Sequence, residues 1–310
     1  MRPRVLFIAG TGRSGSTLLE RMLGQVPEAC PLGEVVHLWE RGVLDDQRCG
    51  CGLPFLECPF WARVGNEAFG GWNDMGSTVL DLKRRVDRHR YVPLMLWPRL
   101  SRRYASDLAW FSEILIRLYR TIAQVSGSSV VIDSSKSSSY LMLLRKISDL
   151  DLRLVHLVRD SRGVAYSATK RVERPEVLRG QAYMPRYHPA RSALEWDAYN
   201  SLFEIVRASG VPSLRLRYED LLADPRHELM RVLALAGLGA GDASLDFVGQ
   251  GVASLQVTHT ISGNPMRFES GNVQLRLDEA WKTGLSMKHR RAVGLLTWPW
   301  MRRYGYGVRA

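Results

Sequence analysis

The sequence predicts an α/β protein with three layers, in which a central, mostly parallel sheet is flanked by helices, with a helical insertion. Short apolar runs occur at residues 5–9 and 130–132, and a third strand pattern occurs at 152–158; continuous apolar runs are typical of strands buried on both faces. Each run ends in a polar turn and is followed by a helical pattern, as in right-handed βα units. We therefore expect a ligand at the carboxyl ends of these strands.

The first strand runs into a glycine- and hydroxyl-rich loop at residues 10–17. Its glycines allow backbone N–H groups to close around an anion, and the helix that follows favours negative charge at its N-terminus. Gly10 and Gly15 have the spacing of a Walker A motif, but Ser16 stands at the lysine position and the cation lies upstream, at Arg13. The loop thus predicts binding of a phosphate-like anion without ATP or GTP hydrolysis.

The remaining elements follow in order. Residues 30–33 are extended, residues 34–39 open a helix, residues 45–76 form a Gly/Pro/Cys-rich loop, and residues 77–126 are mostly helical with interruptions at Pro93 and Pro98. After the second and third strands come a Pro/Arg/Tyr loop at 172–188, a helix at 189–209, a fourth strand at 211–216, a helix at 225–236 and a mostly irregular segment from 237 that ends in Trp298-Pro299-Trp300. We interpret residues 1–310 as a single domain, with 35–127 as an insertion on the acceptor side and 237–310 as a closing segment.

Composition narrows the class of partner. The chain has 310 residues, 45% of them hydrophobic and 24% charged, with a formal net charge of +12 and a pI near 9.9. This charge favours anionic partners, but the arginines are dispersed and no nucleic-acid-binding motif is present, so we expect no nucleic acid. The first apolar run is shorter than a signal-peptide core, and no stretch has the roughly 20 apolar residues of a membrane span. A cytoplasmic location is expected.

Three of the four cysteines, Cys49, Cys51 and Cys58, are close together in sequence. They fit either three ligands of a zinc site, with Cys30 or His37 as the fourth, or a Gly/Pro-rich loop packed by aromatic residues. The spacing differs from that of a standard zinc knuckle, and a reducing cytosol disfavours a disulfide. The packed loop is the favoured interpretation, and no metal is predicted.

Three motifs resemble those of the sulfotransferases that use 3′-phosphoadenylyl sulfate (PAPS). The loop reads Arg-Ser-Gly-Ser-Thr at 13–17, the second strand ends in Asp-Ser-Ser-Lys at 133–136, and the third ends in Leu-Val-Arg-Asp at 157–160 with a serine eight residues after its arginine. The pattern is closest to the bacterial, carbohydrate and tyrosyl-protein branches. The resemblance covers residues 5–34, 130–139, 154–167 and 214–221. It implies a P-loop-related fold.

The resemblance also implies two anion sites, because PAPS carries a 5′-phosphosulfate and a separate 3′-phosphate. It assigns the phosphosulfate to the loop and the 3′-phosphate to Arg159 and Ser167, and arginine suits bidentate phosphate contacts. Tyr218 matches the adenine-contacting tyrosine of the family, although a packed core tyrosine is equally compatible. A closing loop at 258–268 adds Arg267. The expected cofactor contacts are Gly12, Arg13, Ser14, Gly15, Ser16, Thr17, Arg159, Ser167, Tyr218 and Arg267.

Sulfonate transfer needs a base for the acceptor and cations on the departing oxygen. Glu34 follows Arg13 by 21 residues within a Gly-Glu pair, as in the resembling branches, and is the predicted base; the alternative is a carboxylate that only stabilises a helix N-terminus. His37, about one turn further on, is the second candidate. Lys136 and Arg13 are expected to stabilise the leaving group, and the scheme requires no metal.

The function expected from these residues is transfer of a sulfonate from PAPS to a hydroxyl or phenol of a small molecule, lipid or carbohydrate. A P-loop kinase is an alternative, with Asp133 as its sole candidate for binding Mg²⁺. A non-catalytic nucleotide-binding module is another. The sequence specifies neither the acceptor nor the oligomeric state.

Overall fold

A parallel five-stranded sheet lies at the centre of the computed structural model, which describes residues 2–72, 75–178, 180–239 and 245–307. Its strands are β1 (Arg4–Ala9), β2 (Ala29–Pro31), β3 (Val130–Asp133), β4 (Asp151–Val158) and β5 (Ser213–Arg217). They are ordered β2-β3-β1-β4-β5, and every neighbouring pair is parallel. The predicted α/β fold class is confirmed.

Alternate residues of β1 pack into two different hydrophobic cores, one on each face of the sheet. Val5 and Phe7 face a core shared with the helices at residues 102–126 and 138–144, whereas Leu6 and Ile8 face a core shared with the helices at residues 16–23 and 225–236. The helices are α1 (Ser16–Leu23), α2 (Pro59–Phe69), α3 (Met75–Val86), α4 (Val92–Leu96), α5 (Arg102–Ser126), α6 (Ser138–Leu144), α7 (Ser161–Thr169), α8 (Pro189–Ala208), α9 (Tyr218–Ala223), α10 (Pro225–Ala236), α11 (Trp281–Gly284) and α12 (Met287–Arg303). Strands buried on both faces need such helical layers because neither face can be left in water.

The helical insertion is organised around α5. Ser101 begins this helix by accepting a hydrogen bond from the Tyr104 N–H group, and Gly127 ends it in the left-handed conformation, so both ends follow ordinary capping chemistry. The predicted helical stretch at 77–126 is confirmed. None of the helices within the described residues is long and apolar enough to span a membrane.

Two segments predicted to be irregular contain regular structure. The 45–76 loop includes α2, which begins at Pro59, a residue suited to the first helical turn, and buries Trp61, Val64 and Ala68 at helical spacing. The C-terminal segment contains a small antiparallel sheet, β6 (Val248–Gly249), β7 (Val252–Leu255) and β8 (Gly271–Gln274), and the helix α12. Residues 240–244 and 308–310 of that segment, and Arg179 of the 172–188 loop, lie outside the described residues.

The helix α12 was missed because it contains Pro299, which normally interrupts a helix. It packs against α7 and α8 and buries Val293, Thr297 and Met301, which recur every four residues. Tertiary packing therefore outweighs the local cost of the proline. The Trp298-Pro299-Trp300 sequence belongs to the last turns of this helix rather than to an irregular tail.

Candidate active site

The carboxyl ends of all five strands of the central sheet meet at one edge, and a predicted site residue follows each strand. Arg13 follows β1, Glu34 follows β2, Lys136 follows β3, Arg159 follows β4 and Tyr218 follows β5. A cavity of about 600 Å³ lies at this edge; its lining includes loop residues 10–13 and 15–17, Glu34, His37 and Lys136. The topology thus brings together residues as far apart in sequence as Arg13 and Tyr218, and the loop, both candidate bases and Lys136 share one cavity.

The loop at residues 10–17 forms a turn that leads directly into α1. The Ser14 N–H group donates to the Thr11 carbonyl at 3.3 Å, and Gly15 adopts φ 95° immediately before the helix. Arg13 Nη2 and Ser14 Oγ are buried without a hydrogen-bond partner. Buried polar groups normally have partners, so Arg13 Nη2, whose residue lines the cavity, is suited to contact a ligand; Ser14 is not among the described residues of that lining. Gly12 is exposed beside them, and Ser16 and Thr17 line the same cavity.

Glu34 and Lys136 form the closest ion pair in the cavity. Lys136 Nζ lies 2.6 Å from Glu34 Oε1, and the two side chains are only 14% and 13% exposed. The other carboxylate oxygen, Oε2, accepts a hydrogen bond from Ser262 Oγ at 3.2 Å and lies 3.6 Å from His37 Nε2. The predicted base and the predicted leaving-group cation are therefore in direct contact.

The charges around Glu34 control both candidate bases. Burial alone would raise the pKa of Glu34, but the positive charge of Lys136, followed by those of His37 and Arg41, outweighs it and holds the pKa at about 2. Burial lowers the pKa of His37 to about 4, against the opposing effect of Glu34. At neutral pH Glu34 is therefore ionised and His37 is neutral. Both side chains are then in the form that accepts a proton.

Backbone strain is concentrated around the cavity. Four non-glycine residues in the described ranges have positive φ, and three of them, Arg13 (70°), Lys136 (58°) and Ser262 (56°), surround Glu34 or the loop. Such conformations are unfavourable for residues with a Cβ atom and persist only where surrounding contacts impose them. The surrounding fold therefore holds these three residues in conformations that they would not adopt in a relaxed chain.

Arg159 and Tyr218 brace the back of the loop. The Arg159 guanidinium donates to the Arg13 carbonyl at 3.1 Å, stacks over the Tyr218 ring at 4.6 Å and lies 3.5 Å from Asp278 Oδ2. A Cβ at Gly15 would lie 2.3 Å from the Tyr218 ring, so the tyrosine packs directly on the loop. Arg159 also lines a second cavity of about 440 Å³.

Four of the predicted cofactor contacts, Ser14, Ser167, Tyr218 and Arg267, are not among the described residues that line these two cavities. Ser167 is partly buried on α7 and is not among the described residues that line either cavity. Arg267 is 1% exposed, and its guanidinium donates to the carbonyls of Thr260 and Arg48, the latter at 2.6 Å. Arg267 therefore holds the closing segment in place from inside the protein and is not placed to contact a cofactor in either cavity.

A segment from the C-terminal part of the chain, residues 258–264, packs against the site. The Glu34 N–H group donates to the Ile261 carbonyl at 2.7 Å, and the Asn264 N–H group donates to Thr17 Oγ1 at 3.4 Å. Gly33 adopts φ 80°, and a Cβ there would lie 2.1 Å from the Ile261 carbonyl oxygen. The segment thus contacts both the predicted base and the loop.

Another part of the cavity lining consists of side chains that sequence reasoning did not single out. We call this the helix wall; it contains Lys83, Asp87, His89, Ser139, Tyr187, Trp196 and Tyr199. Asp87 accepts a hydrogen bond from Ser139 at 2.7 Å and pairs with Lys83 at 3.1 Å. These residues come from α3 and the short segment that follows it, from α6, from α8 and from the 172–188 loop, and no motif links them. Lys83, Asp87 and His89 belong to the insertion at 35–127 that was expected on the acceptor side; the others had no signal in the sequence.

Asp133 does not face the cavity. It is fully buried, accepts hydrogen bonds from the Tyr119 hydroxyl at 2.6 Å and the Ser135 N–H group at 2.9 Å, and burial raises its pKa to about 6. A carboxylate used in this way is not available to hold Mg²⁺ beside the loop. The residue on which the kinase alternative depends is thus committed to the core.

The three cysteines of the 49–58 loop converge, but neither of their expected partners joins them. Among the described residues, the fourth side chain of the cluster is His259, and the four potential ligand atoms lie within 4.8 Å of one another. Cys30 is instead buried in β2, and His37 lies beside Glu34. The expected fourth ligand was wrong because His259 is 201 residues from Cys58 in sequence, a separation that no spacing rule covers.

Comparison with known proteins agrees with this architecture. Residues 3–50 match the model of the sulfotransferase family. The sulfotransferase domain of the Synechococcus PCC 7002 olefin synthase is 19% identical, with a TM-score of 0.54 over 99% of this chain and 96% of that chain. The sulfotransferase domain of the curacin biosynthetic pathway is 16% identical, with a TM-score of 0.52 over 99% of both chains. The search of curated proteins finds no match. The family model supports the predicted resemblance to sulfotransferases over the first strand, the loop and Glu34, and the two solved domains share the fold of the chain.

Proposed function

We propose that the protein transfers a sulfonate group from PAPS to a hydroxyl or phenol of a small-molecule, lipid or carbohydrate acceptor. The observation that carries this proposal is the meeting of the Glu34–Lys136 ion pair with the 10–17 loop in one cavity. A base, a cation and an anion-binding loop are the parts that sulfonate transfer requires. The family match and the sulfotransferase fold support the reaction class.

The residues present fit PAPS. The unpartnered Arg13 Nη2, together with the loop N–H groups, suits the 5′-phosphosulfate, and Arg159, which lines the second cavity, suits the 3′-phosphate. Asp278 now pairs with Arg159, so an incoming phosphate would compete with this carboxylate. When bound, PAPS supplies an activated sulfonate on a phosphate leaving group.

The Glu34–Lys136 pair gives each residue a role. Lys136 donates to negative charge that develops on the departing oxygen, as a preorganised cation does in acyl and phosphoryl transfer. Glu34 accepts the proton of the acceptor hydroxyl. Lys136 is the largest favourable influence on the low pKa of Glu34, so drawing the ammonium toward an anion raises the basicity of Glu34. His37 remains the second candidate base.

Binding and transfer test the proposal in two steps. In titration calorimetry, 3′-phosphoadenosine 5′-phosphate (PAP), the desulfonated product, is expected to bind, and Arg13→Ala is expected to weaken it while the exposed Arg103→Ala is not. Radiolabelled PAPS is then offered with a panel of phenols and alcohols. Failure of PAP to bind, with tight binding of ATP–Mg²⁺, would overturn the proposal. PAP binding without transfer to any acceptor would favour a non-catalytic module.

A further inference from the structure

Three thiols and an imidazole converge about the base of the 49–58 loop, outside the candidate active site. Cys51 Sγ lies 3.7 Å from Cys58 Sγ, and His259 Nδ1 lies 3.2 Å from Cys58 Sγ and 3.9 Å from Cys49 Sγ. Cys49 and Cys58 are buried, and Cys51 is partly buried. None of the four cysteines of the chain is in a disulfide.

The separations match the edges of a tetrahedral metal site. With Zn–S bonds of about 2.3 Å and Zn–N bonds of about 2.0–2.1 Å, a tetrahedron has S–S edges of about 3.8 Å and S–N edges of about 3.6 Å. The S–S distance of 3.7 Å and the two S–N distances of 3.2 and 3.9 Å scatter around these values. One ion can therefore contact all four atoms without a large rearrangement.

Backbone hydrogen bonds and two aromatic side chains hold the cysteines and the histidine in place. The Cys49 N–H group donates to the Leu53 carbonyl at 2.8 Å, and the Gly50 N–H group donates to the Thr260 carbonyl at 2.9 Å. Trp61 Nε1 donates to the His259 carbonyl at 2.8 Å, and the His259 ring stacks on Phe60 at 5.2 Å. The histidine is thus oriented by contacts that do not involve the cysteines, which is typical of a supported ligand.

The donor set selects the kind of metal. Thiolate and imidazole ligands suit zinc, whereas Mg²⁺ and Ca²⁺ prefer oxygen. Four protein ligands leave no open coordination position, which is characteristic of a structural rather than a catalytic zinc site. A metal at this place is compatible with a transfer reaction that uses none.

We propose that Cys49, Cys51, Cys58 and His259 bind one structural zinc ion. The ion fastens the cysteine loop to the segment at residues 258–264, whose Ile261 and Ser262 contact Glu34. It stabilises the position of the candidate base from a distance without contacting a substrate. The fourth ligand, His259, comes from the C-terminal part of the chain, so the site forms only when the two parts of the fold have come together.

Metal analysis of the full-length protein is the first test. Protein produced in zinc-containing medium and purified without chelators is expected to hold about one zinc per chain by plasma mass spectrometry. After zinc is removed under reducing conditions, Co²⁺ is expected to give the intense visible absorption of a tetrahedral site and the ultraviolet sulfur-to-cobalt band. Absence of both zinc and a tetrahedral Co²⁺ spectrum overturns the proposal, as does a native disulfide among Cys49, Cys51 and Cys58 found by mass spectrometry.

Ligand variants locate the ion. Cys58→Ser and His259→Gln are expected to weaken zinc binding at least about 10-fold, whereas Cys30→Ser, a buried cysteine outside the cluster, is expected to leave zinc stoichiometry unchanged. Unchanged zinc affinity in both ligand variants overturns the assignment. Zinc removal from the wild type is also expected to increase amide hydrogen exchange in the 258–264 segment, and this readout does not depend on a variant that folds. Neither measurement depends on PAPS, so the site can fail while the proposed function stands, and the reverse.

Discussion

The 10–17 loop and the helix wall line one cavity but differ in how their polar groups are paired. The loop leaves two buried polar groups, Arg13 Nη2 and Ser14 Oγ, without partners, and its backbone is strained at Arg13. On the helix wall Asp87 already pairs with Ser139 and Lys83. An unpartnered buried guanidinium on a strained backbone is unfavourable without a ligand. Such a site therefore favours one kind of ligand, here an anion. A wall of mutually satisfied polar and aromatic groups instead tolerates ligands of different shapes, which is what an acceptor pocket requires.

The largest effect on sulfonate transfer is expected from a change at Glu34. The change Glu34→Gln is expected to reduce kcat/KM for sulfonate transfer about 10²- to 10⁴-fold because a positioned base is lost, while PAP affinity is retained. Its pKa of about 2 lies below its ordinary value, so the carboxylate is ionised above that pH and activity should not fall between pH 8 and 5 through loss of this base. Steady-state kinetics across this range provide the measurement.

His37→Asn is the matched control for the base. If Glu34 is the base, this variant is expected to lose less than about 10-fold in kcat/KM, because only a neighbouring contact is removed. If His37, whose pKa is about 4, is the base, its variant loses as much as Glu34→Gln was expected to lose, and wild-type kcat/KM falls as the pH drops through about 4. That outcome would exchange the two roles.

A smaller effect, confined to the loop side, is expected from Arg159. The change Arg159→Ala is expected to weaken PAP binding about 10- to 100-fold, since hydrogen bonds to a charged group contribute about 1.5–3 kcal/mol. Asp278→Asn should act in the opposite direction and tighten PAP binding, because it removes the carboxylate 3.5 Å from the guanidinium. Calorimetry with PAP measures both. Equal affinities in the two variants would argue against a 3′-phosphate at Arg159.

The close packing of the loop on Tyr218 is expected to make Gly15 sensitive to a single methyl group. In Gly15→Ala a Cβ would lie 2.3 Å from the tyrosine ring at a residue with φ 95°, and strain plus overpacking should lower the free energy of unfolding by about 2–4 kcal/mol. Gly210→Ala shares a positive φ of 89° but has no neighbour within 4 Å. It should cost only about 1 kcal/mol.

Urea denaturation of the two glycine variants separates backbone strain from packing, and PAP calorimetry shows whether the loop has moved. Weakened PAP binding is expected only in Gly15→Ala. Equal destabilisation of the two variants would mean that Tyr218 yields easily, and the loop would then be less rigid than its contacts indicate.

The loop and the helix wall also differ in how well the sequence predicts them. The loop, Lys136 and Arg159 each come immediately after a strand in the sequence. Their positions at one edge of the sheet can therefore be predicted once the strands are recognised. Glu34 also follows a strand. The helix wall joins side chains from four separate segments, and His259 reaches the cysteines from the other end of the chain. Such contacts depend on tertiary packing, which leaves no local pattern. Arg267 shows the converse error, since a basic residue in a closing loop indicates a phosphate contact equally well whether it faces the cavity or the core.

The smallest effect is expected on the helix wall, at Asp87. The change Asp87→Asn keeps the shape of the side chain and can still accept the hydrogen bond from Ser139, but removes the charge that pairs with Lys83. An acceptor that turns over in the panel should therefore show a KM altered by a few-fold, with PAP affinity unchanged, because Asp87 pairs with Ser139 and Lys83 and makes no contact with the loop among the described hydrogen bonds and ion pairs. A change in PAP affinity as large as that in Arg159→Ala would contradict the division, since it would mean that the two sides of the cavity bind one ligand together rather than two ligands separately.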